Sequence, residues 1–130
     1  MYDDNTYRII ELIDMMLDAI NVIQIRTAHI NSANEFLLNP DNMFILDGVC
    51  MKLIFMGECV KTIDKLSQGK LLVNFPSIPW KEIMKLRDVI AHHYFKIDVD
   101  IVYATIKEDL IPLKVALLQM KDYEMGIKSK

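Results

Sequence analysis

Between Trp80 and Phe95 the chain reads WKEIMKLRDVIAHHYF, which sets Arg87, Asp88, His92, His93 and Tyr94 close together. A guanidinium is a planar fork that matches phosphate oxygens. An imidazole exchanges protons near neutral pH. Asp88 and His92 stand at i and i+4, so the carboxylate can hold the imidazole in one orientation and favour its protonated form. An orienting acid, a proton-transfer group and an anion clamp are the minimum for cleaving a phosphodiester whose own 2′-hydroxyl attacks. That reaction needs no metal, and no metal or cofactor pattern is present. His92 and His93 are adjacent and diverge by about 100°, and the chain contains no HExxH and no Cys/His array. Glycine-rich phosphate loops and Ser–His nucleophile signatures are absent as well.

The stretch reads as the third helix of the chain. At about 100° per residue, Ile83, Leu86 and Ile90 share one arc with Arg87 and Tyr94 at its edge, while Lys81, Lys85, Asp88 and His92 form a separate polar stripe. Arg87 and His92 are therefore about 140° apart on a straight helix and do not converge on one phosphate. Two arrangements would bring them together: the helix unwinds near Ala91, or two copies of the chain face each other and each supplies part of the site. The same residue types near a helix end also make ordinary caps and surface pairs.

The rest of the sequence describes the scaffold. From about Asp4 to Ile30, the residues Ile9, Ile13, Met16, Ile20, Ile23 and Ile30 recur three and four apart, with Thr27 in the one polar slot. Further apolar residues broaden that arc, so the helix must pack on more than one neighbour, as in a bundle or a bundle with a dimer interface. His29 lies near its end and has no second ligand one turn away, so a structural role is expected. Asn39-Pro40-Asp41-Asn42 is a turn, with Asp41 or Asn42 as the expected cap of a second helix to about Ser67. Its seam is Leu46, Val49, Leu53, Met56, Val60 and Ile63, and a short turn makes the two helices an antiparallel hairpin. Gly57 costs about 1 kcal/mol relative to Ala inside a helix, which suggests that another backbone comes close. Glu58 and Lys61 read as a surface pair, with a place in the same cleft as the alternative.

Leu71 to Ile78 reads as an apolar connection lying on the bundle, with Leu71 to Phe75 the only conceivable strand, and Pro79 falls in the first turn of the third helix. Asp98 should cap a fourth helix carrying Val99, Val102, Ile106 and Leu110 inward. A fifth should start near Pro112 with Leu113, Leu117 and Met120 inward, and the tail from Gly126 should fray. The expected architecture is one all-α domain over residues 1–130, an up-and-down bundle of four to five helices that dimerises.

With 130 residues, 52% of them hydrophobic, the chain can bury a core without staples. Cys50 and Cys59 match neither a CxxC pair nor a disulfide framework and read as reduced thiols. No apolar run reaches the roughly 18 residues of a membrane span, and Met1-Tyr2-Asp3-Asp4 lacks the basic start of a secretory signal. A cytoplasmic protein without membrane contact is expected. The net charge of −3 gives no broad attraction to nucleic acid, so an RNA contact must be local.

Arg87, four residues, His92, one residue and Tyr94 resemble the RxxxxHxY signature of HEPN-superfamily toxins of the HepT type. The similarity extends through Gly57-Glu58, Pro79-Trp80, Tyr94-Phe95, Asp98 and Asp109-Leu110, over roughly Val49 to Leu113. The resemblance implies an all-helical homodimer acting as a metal-independent endoribonuclease in a type VII-like toxin–antitoxin pair. Arg87 and His92 match the catalytic positions, with Asp88 in support. The implied partner is a minimal nucleotidyltransferase antitoxin that adds AMP to the signature tyrosine, here Tyr94. Asp88 stands where Asn is common, His93 fills the variable position, and Tyr103 stands where Trp is frequent. A different class of function, a non-catalytic helical adaptor or nucleotide-binding partner subunit of a nucleotidyltransferase, is suggested by the acidic charge and the broad apolar face of the first helix.

Overall fold

The computed structural model describes residues 3–92 and 97–126, with 91 and 92 as backbone only, and no strand occurs among them. Helix α1 (Asp4–Arg26) starts where the Asp3 carboxylate accepts the Thr6 N–H at 2.8 Å, a bond that also holds the Asp3 carboxyl below its ordinary pKa. Its seam is buried as the spacing requires, and Thr27 fills the polar slot by donating its hydroxyl to the Ile23 carbonyl at 2.7 Å. The helix ends at Arg26, four residues short of the expected Ile30, because Thr27 already leaves helical geometry.

A 3-10 turn (Ala33–Leu37) buries Phe36 and leads into α2 (Pro40–Leu66). The cap of α2 is Asn39, not Asp41 or Asn42. Its side chain accepts the Asn42 N–H at 2.8 Å, and Pro40 takes the first helical position, where its missing N–H is no loss. Asn42 instead becomes a buried latch: its Nδ2 donates to the Glu35 carbonyl and its Oδ1 lies 2.9 Å from His29 Nε2. The structural role expected for His29 is thus filled by a partner thirteen residues away.

After α2 the chain turns through Gln68 and Gly69, both at positive φ. The stretch read as a conceivable strand is a 3-10 turn (Leu72–Asn74), with Leu71, Leu72 and Ile78 buried on the bundle. The third helix is two pieces, α3 (Trp80–Met84) and α4 (Leu86–His92), divided at Lys85. Asp98 caps α5 (Val99–Ala104) by accepting the N–H groups of Asp100 and Ile101.

The expected break before Pro112 is absent. A π turn (Thr105–Asp109) joins α5 to α6 (Leu110–Glu124), so α6 starts two residues before the proline. Pro112 has no N–H to offer the Glu108 carbonyl one turn back, and a π turn is a common way for a continuous helix to absorb such a defect. The result is a bundle of four limbs, α1, α2, α3–α4 and α5–α6. Helix α1 packs against α2 and α6, while α3 and α4 lie on α2. Among the described residues no helix is long and apolar enough to cross a membrane.

Candidate active site

The limb α3–α4 carries the residues with chemistry, and three contacts hold it. Trp80 is buried and donates its indole N–H to the Phe75 carbonyl at 2.9 Å, fixing the start of α3 to the loop before it. Ile83 and Ile90 are buried toward the core. Gly57 of α2 provides the third: a Cβ added there would lie 2.6 Å from the Ile83 carbonyl oxygen, with the Met84 oxygen next nearest at 3.7 Å. The close backbone approach expected at this glycine is the end of α3.

At Lys85 the helix gives way. The Lys85 N–H closes the last turn of α3 on the carbonyls of Lys81 and Glu82, and its own carbonyl accepts the Val89 N–H that opens α4. The backbone is helical at Ala91 and through His92, where the described part of this limb ends, and the interruption within it falls at Lys85, six residues before Ala91. Arg87 lies just beyond the break. It is exposed, and among the described residues no hydrogen bond or ion pair engages its guanidinium. Asp88 is exposed beside it on the first turn of α4. His93 and Tyr94 lie outside the described residues. The structure therefore places Arg87 and Asp88 on a solvent face of one short helix whose backbone leads to His92.

A pocket of about 270 Å³ opens between this limb, α2 and α5–α6, lined by Leu53, Met56, Ile83, Leu86 and Val89 with Ile101 opposite. Asp109 stands at its edge, and partial desolvation there, with Glu108 adjacent, raises its carboxyl above the ordinary value. Neither the break at Lys85 nor this pocket was anticipated. Glycine at position 57 was the only signal pointing to this region.

The other candidates resolve as structural. Glu58 and Lys61 form a surface pair at 3.3 Å, each close to half exposed. Burial pushes both thiols, Cys50 and Cys59, up to about 11, so they are inert at neutral pH. Among the described residues no three His, Cys, Asp or Glu side chains gather in a way that could hold a metal ion.

The family described as Ribonuclease HepT-like matches residues 16–120, a span that contains both faces of this limb and the helices that carry it. The chain belongs to the HepT-like ribonuclease family. Its enzyme class is accordingly that of a ribonuclease. Similar relatives include "Probable ribonuclease HepT" of Thermococcus cleftensis, 33% identical over 80% of this chain and 87% of the relative. "Putative RNase MJ1380" of Methanocaldococcus jannaschii is 35% identical over 62% of this chain and 68% of its own length. "Putative RNase MJ1216" of the same organism is 31% identical over 91% of this chain and 83% of its own. No solved structure matches the HepT-like chain.

Proposed function

We propose that the protein is a metal-independent endoribonuclease toxin in which two protomers complete one cleft, each supplying Arg87 and His92. The observation that carries this reading is Arg87: an exposed guanidinium with no partner among the described residues, on a helix whose backbone runs to His92. Arg87 and His92 are about 140° apart on a straight helix, and a facing copy brings the two residue types to one phosphate. In the cleft His92 moves the proton of the 2′-hydroxyl as its oxygen attacks phosphorus, and Arg87 stabilises the charge gathered on the phosphate oxygens. The bond from phosphorus to the 5′-oxygen breaks, leaving a cyclic phosphate and a free 5′-hydroxyl. Asp88 orients His92 from one turn back.

The regulatory half of the proposal concerns Tyr94. A nucleotidyltransferase antitoxin directs the phenol oxygen onto the α-phosphate of ATP, pyrophosphate leaves, and the tyrosine carries AMP. A bulky anion there would engage Arg87 and obstruct RNA.

Expression without the antitoxin should arrest growth, and Arg87→Ala or His92→Ala should relieve the arrest; toxicity unchanged in both variants would sink the assignment. Incubation with the nucleotidyltransferase and ATP should raise the intact mass by one or more AMP units, and Tyr94→Phe should abolish the gain. A second reading, a non-catalytic adaptor, draws support from exposed apolar residues on the hairpin, with Ile25 65% and Phe44 76% exposed. Tight partner binding with no RNA cleavage, and mutants as inert as wild type, would favour it.

A further inference from the structure

Helix α2 contains two glycines in opposite surroundings. At Gly48 an added Cβ meets nothing within 4 Å, whereas at Gly57 it meets the Ile83 carbonyl oxygen at 2.6 Å. The hydrogen that replaces Cβ at Gly57 therefore points at that carbonyl, the arrangement of a Cα–H···O contact between helices. The oxygen belongs to backbone and cannot swing aside as a side chain would. The α3–α4 limb also has space on its far side, because the pocket lined by Ile83, Leu86 and Val89 separates it from α5–α6. Among the described residues, the side chains across that pocket include Ile101, Thr105, Leu110 and Leu113, and its volume of about 270 Å³ leaves the limb room to shift away from α2.

We infer that Gly57 is a positioning residue for the ribonuclease reaction: by letting the end of α3 seat directly on α2, it fixes where α4 holds Arg87. Relieving the contact to an ordinary 3.4 Å requires the carbonyl to retreat by roughly 0.8 Å. Arg87 follows Ile83 by four residues, and the Val89 N–H bond to the Lys85 carbonyl ties the first turn of α4 to the end of α3, so a shift of that end moves the base of α4 and Arg87 with it. Misplacement by about 1 Å of a group that stabilises the transition state can cost on the order of a hundredfold in rate. The kinetic side of this inference rests on the ribonuclease reading above.

The test compares Gly57→Ala with Gly48→Ala, the same substitution in the same helix. Kinetics on a model RNA are run well below both melting temperatures. Gly57→Ala should lower kcat by about tenfold or more with KM within about twofold, while Gly48→Ala leaves both unchanged. The double variant Gly57→Ala/Arg87→Ala should be no slower than Arg87→Ala alone, because both changes remove one contribution. A merely structural loss would multiply with the arginine's, and that result overturns the proposal, as does a Gly57→Ala kcat within twofold of wild type. Should Gly57→Ala fail to fold, Ile83→Ala removes the buried side chain that holds the residue bearing that carbonyl in the core and must show the same coupling to Arg87→Ala; independence there overturns it too. Backbone amide shifts provide a readout free of activity. Changes running from Ile83 to Ile90 in Gly57→Ala and absent in Gly48→Ala sustain the structural half of the inference, that Gly57 sets the place of α4, whereas a wild-type protein that cuts no RNA refutes the ribonuclease reading and the kinetic half with it. An undisturbed limb removes the inference whatever the activity.

Discussion

The limb formed by α5 and α6 widens into a π turn at Thr105–Asp109 and still continues as one helix, whereas the limb formed by α3 and α4 stops at Met84 and restarts at Leu86. At the π turn Ile106 is 6% exposed, and beyond it α6 runs deeper in the core than α3–α4 does. Leu110, Leu113, Leu117 and Met120 are at most 2% exposed, while Trp80, Ile83 and Ile90 retain 6 to 8%. A defect in a deeply seated limb is absorbed within the hydrogen-bond ladder, since leaving the core would cost too much apolar burial. On a shallow limb a similar defect becomes a joint. The candidate residues Arg87 and Asp88 ride on the shallow limb.

The largest test of that contrast is Leu117→Ala. It opens a cavity in the fully buried seam and should cost about 2 to 5 kcal/mol of global stability, read from urea unfolding; a cost under about 1 kcal/mol would mean that α6 is no deeper than α4. Next comes Trp80→Phe, which removes the donor to the Phe75 carbonyl and should cost about 1 to 3 kcal/mol. Hydrogen exchange should show α4 amides speeding up more than those of α6, and equal acceleration would erase the distinction between the limbs. Pro112→Ala restores an N–H to the Glu108 carbonyl and should let the π turn relax to α-helix with a stability change within about 1 kcal/mol. Persistence of the π turn, seen in amide hydrogen-bond couplings, would clear the proline as its cause.

The smallest effect is electrostatic. The Asp109 carboxyl is raised in the folded protein from 3.8, so the fold binds a proton more readily than the unfolded chain. Stability should then fall slightly as pH rises through the carboxylate range. Solvent screening keeps the effect small at this exposed residue. Asp109→Asn should flatten that slope in urea midpoints taken from about pH 4 to about pH 7, and an unchanged slope would assign it elsewhere.

Much of the scaffold was legible because it is written in local spacing. The isoleucine seam of α1, the leucine and valine seam of α2, and the caps of α5 follow from periodicity and side-chain chemistry within a few residues. The cap of α2 lies two or three residues before the expected Asp41 or Asn42 because Asn39, Asp41 and Asn42 all have capping side chains, and Pro40 at the first helical position decides among them. The proline that announced an interruption at 112 produced none that redirects the chain. Lys85 sits among good helix formers, and its neighbours Met84 and Leu86 give no local reason to stop. The break there coincides with the seat at Gly57, a contact twenty-six residues away in sequence. Of the candidate site, the exposure of Asp88 follows from the polar stripe of the helical wheel, while Arg87, placed at the edge of the apolar arc, is on the solvent side, and the displacement of both past a break is not legible.

The Trp80 indole bond to Phe75 clamps the start of α3, and α4 extends as a lever from the joint at Lys85. Its seven residues reach about 10 Å, so a tilt of only about 6° at the joint sweeps the far end through about 1 Å. Small changes passed through α3 from the loop of Leu71 to Pro79 would thereby be magnified along α4, where Arg87 and Asp88 stand. That loop is a place from which the position of Arg87 can be adjusted without altering the arginine.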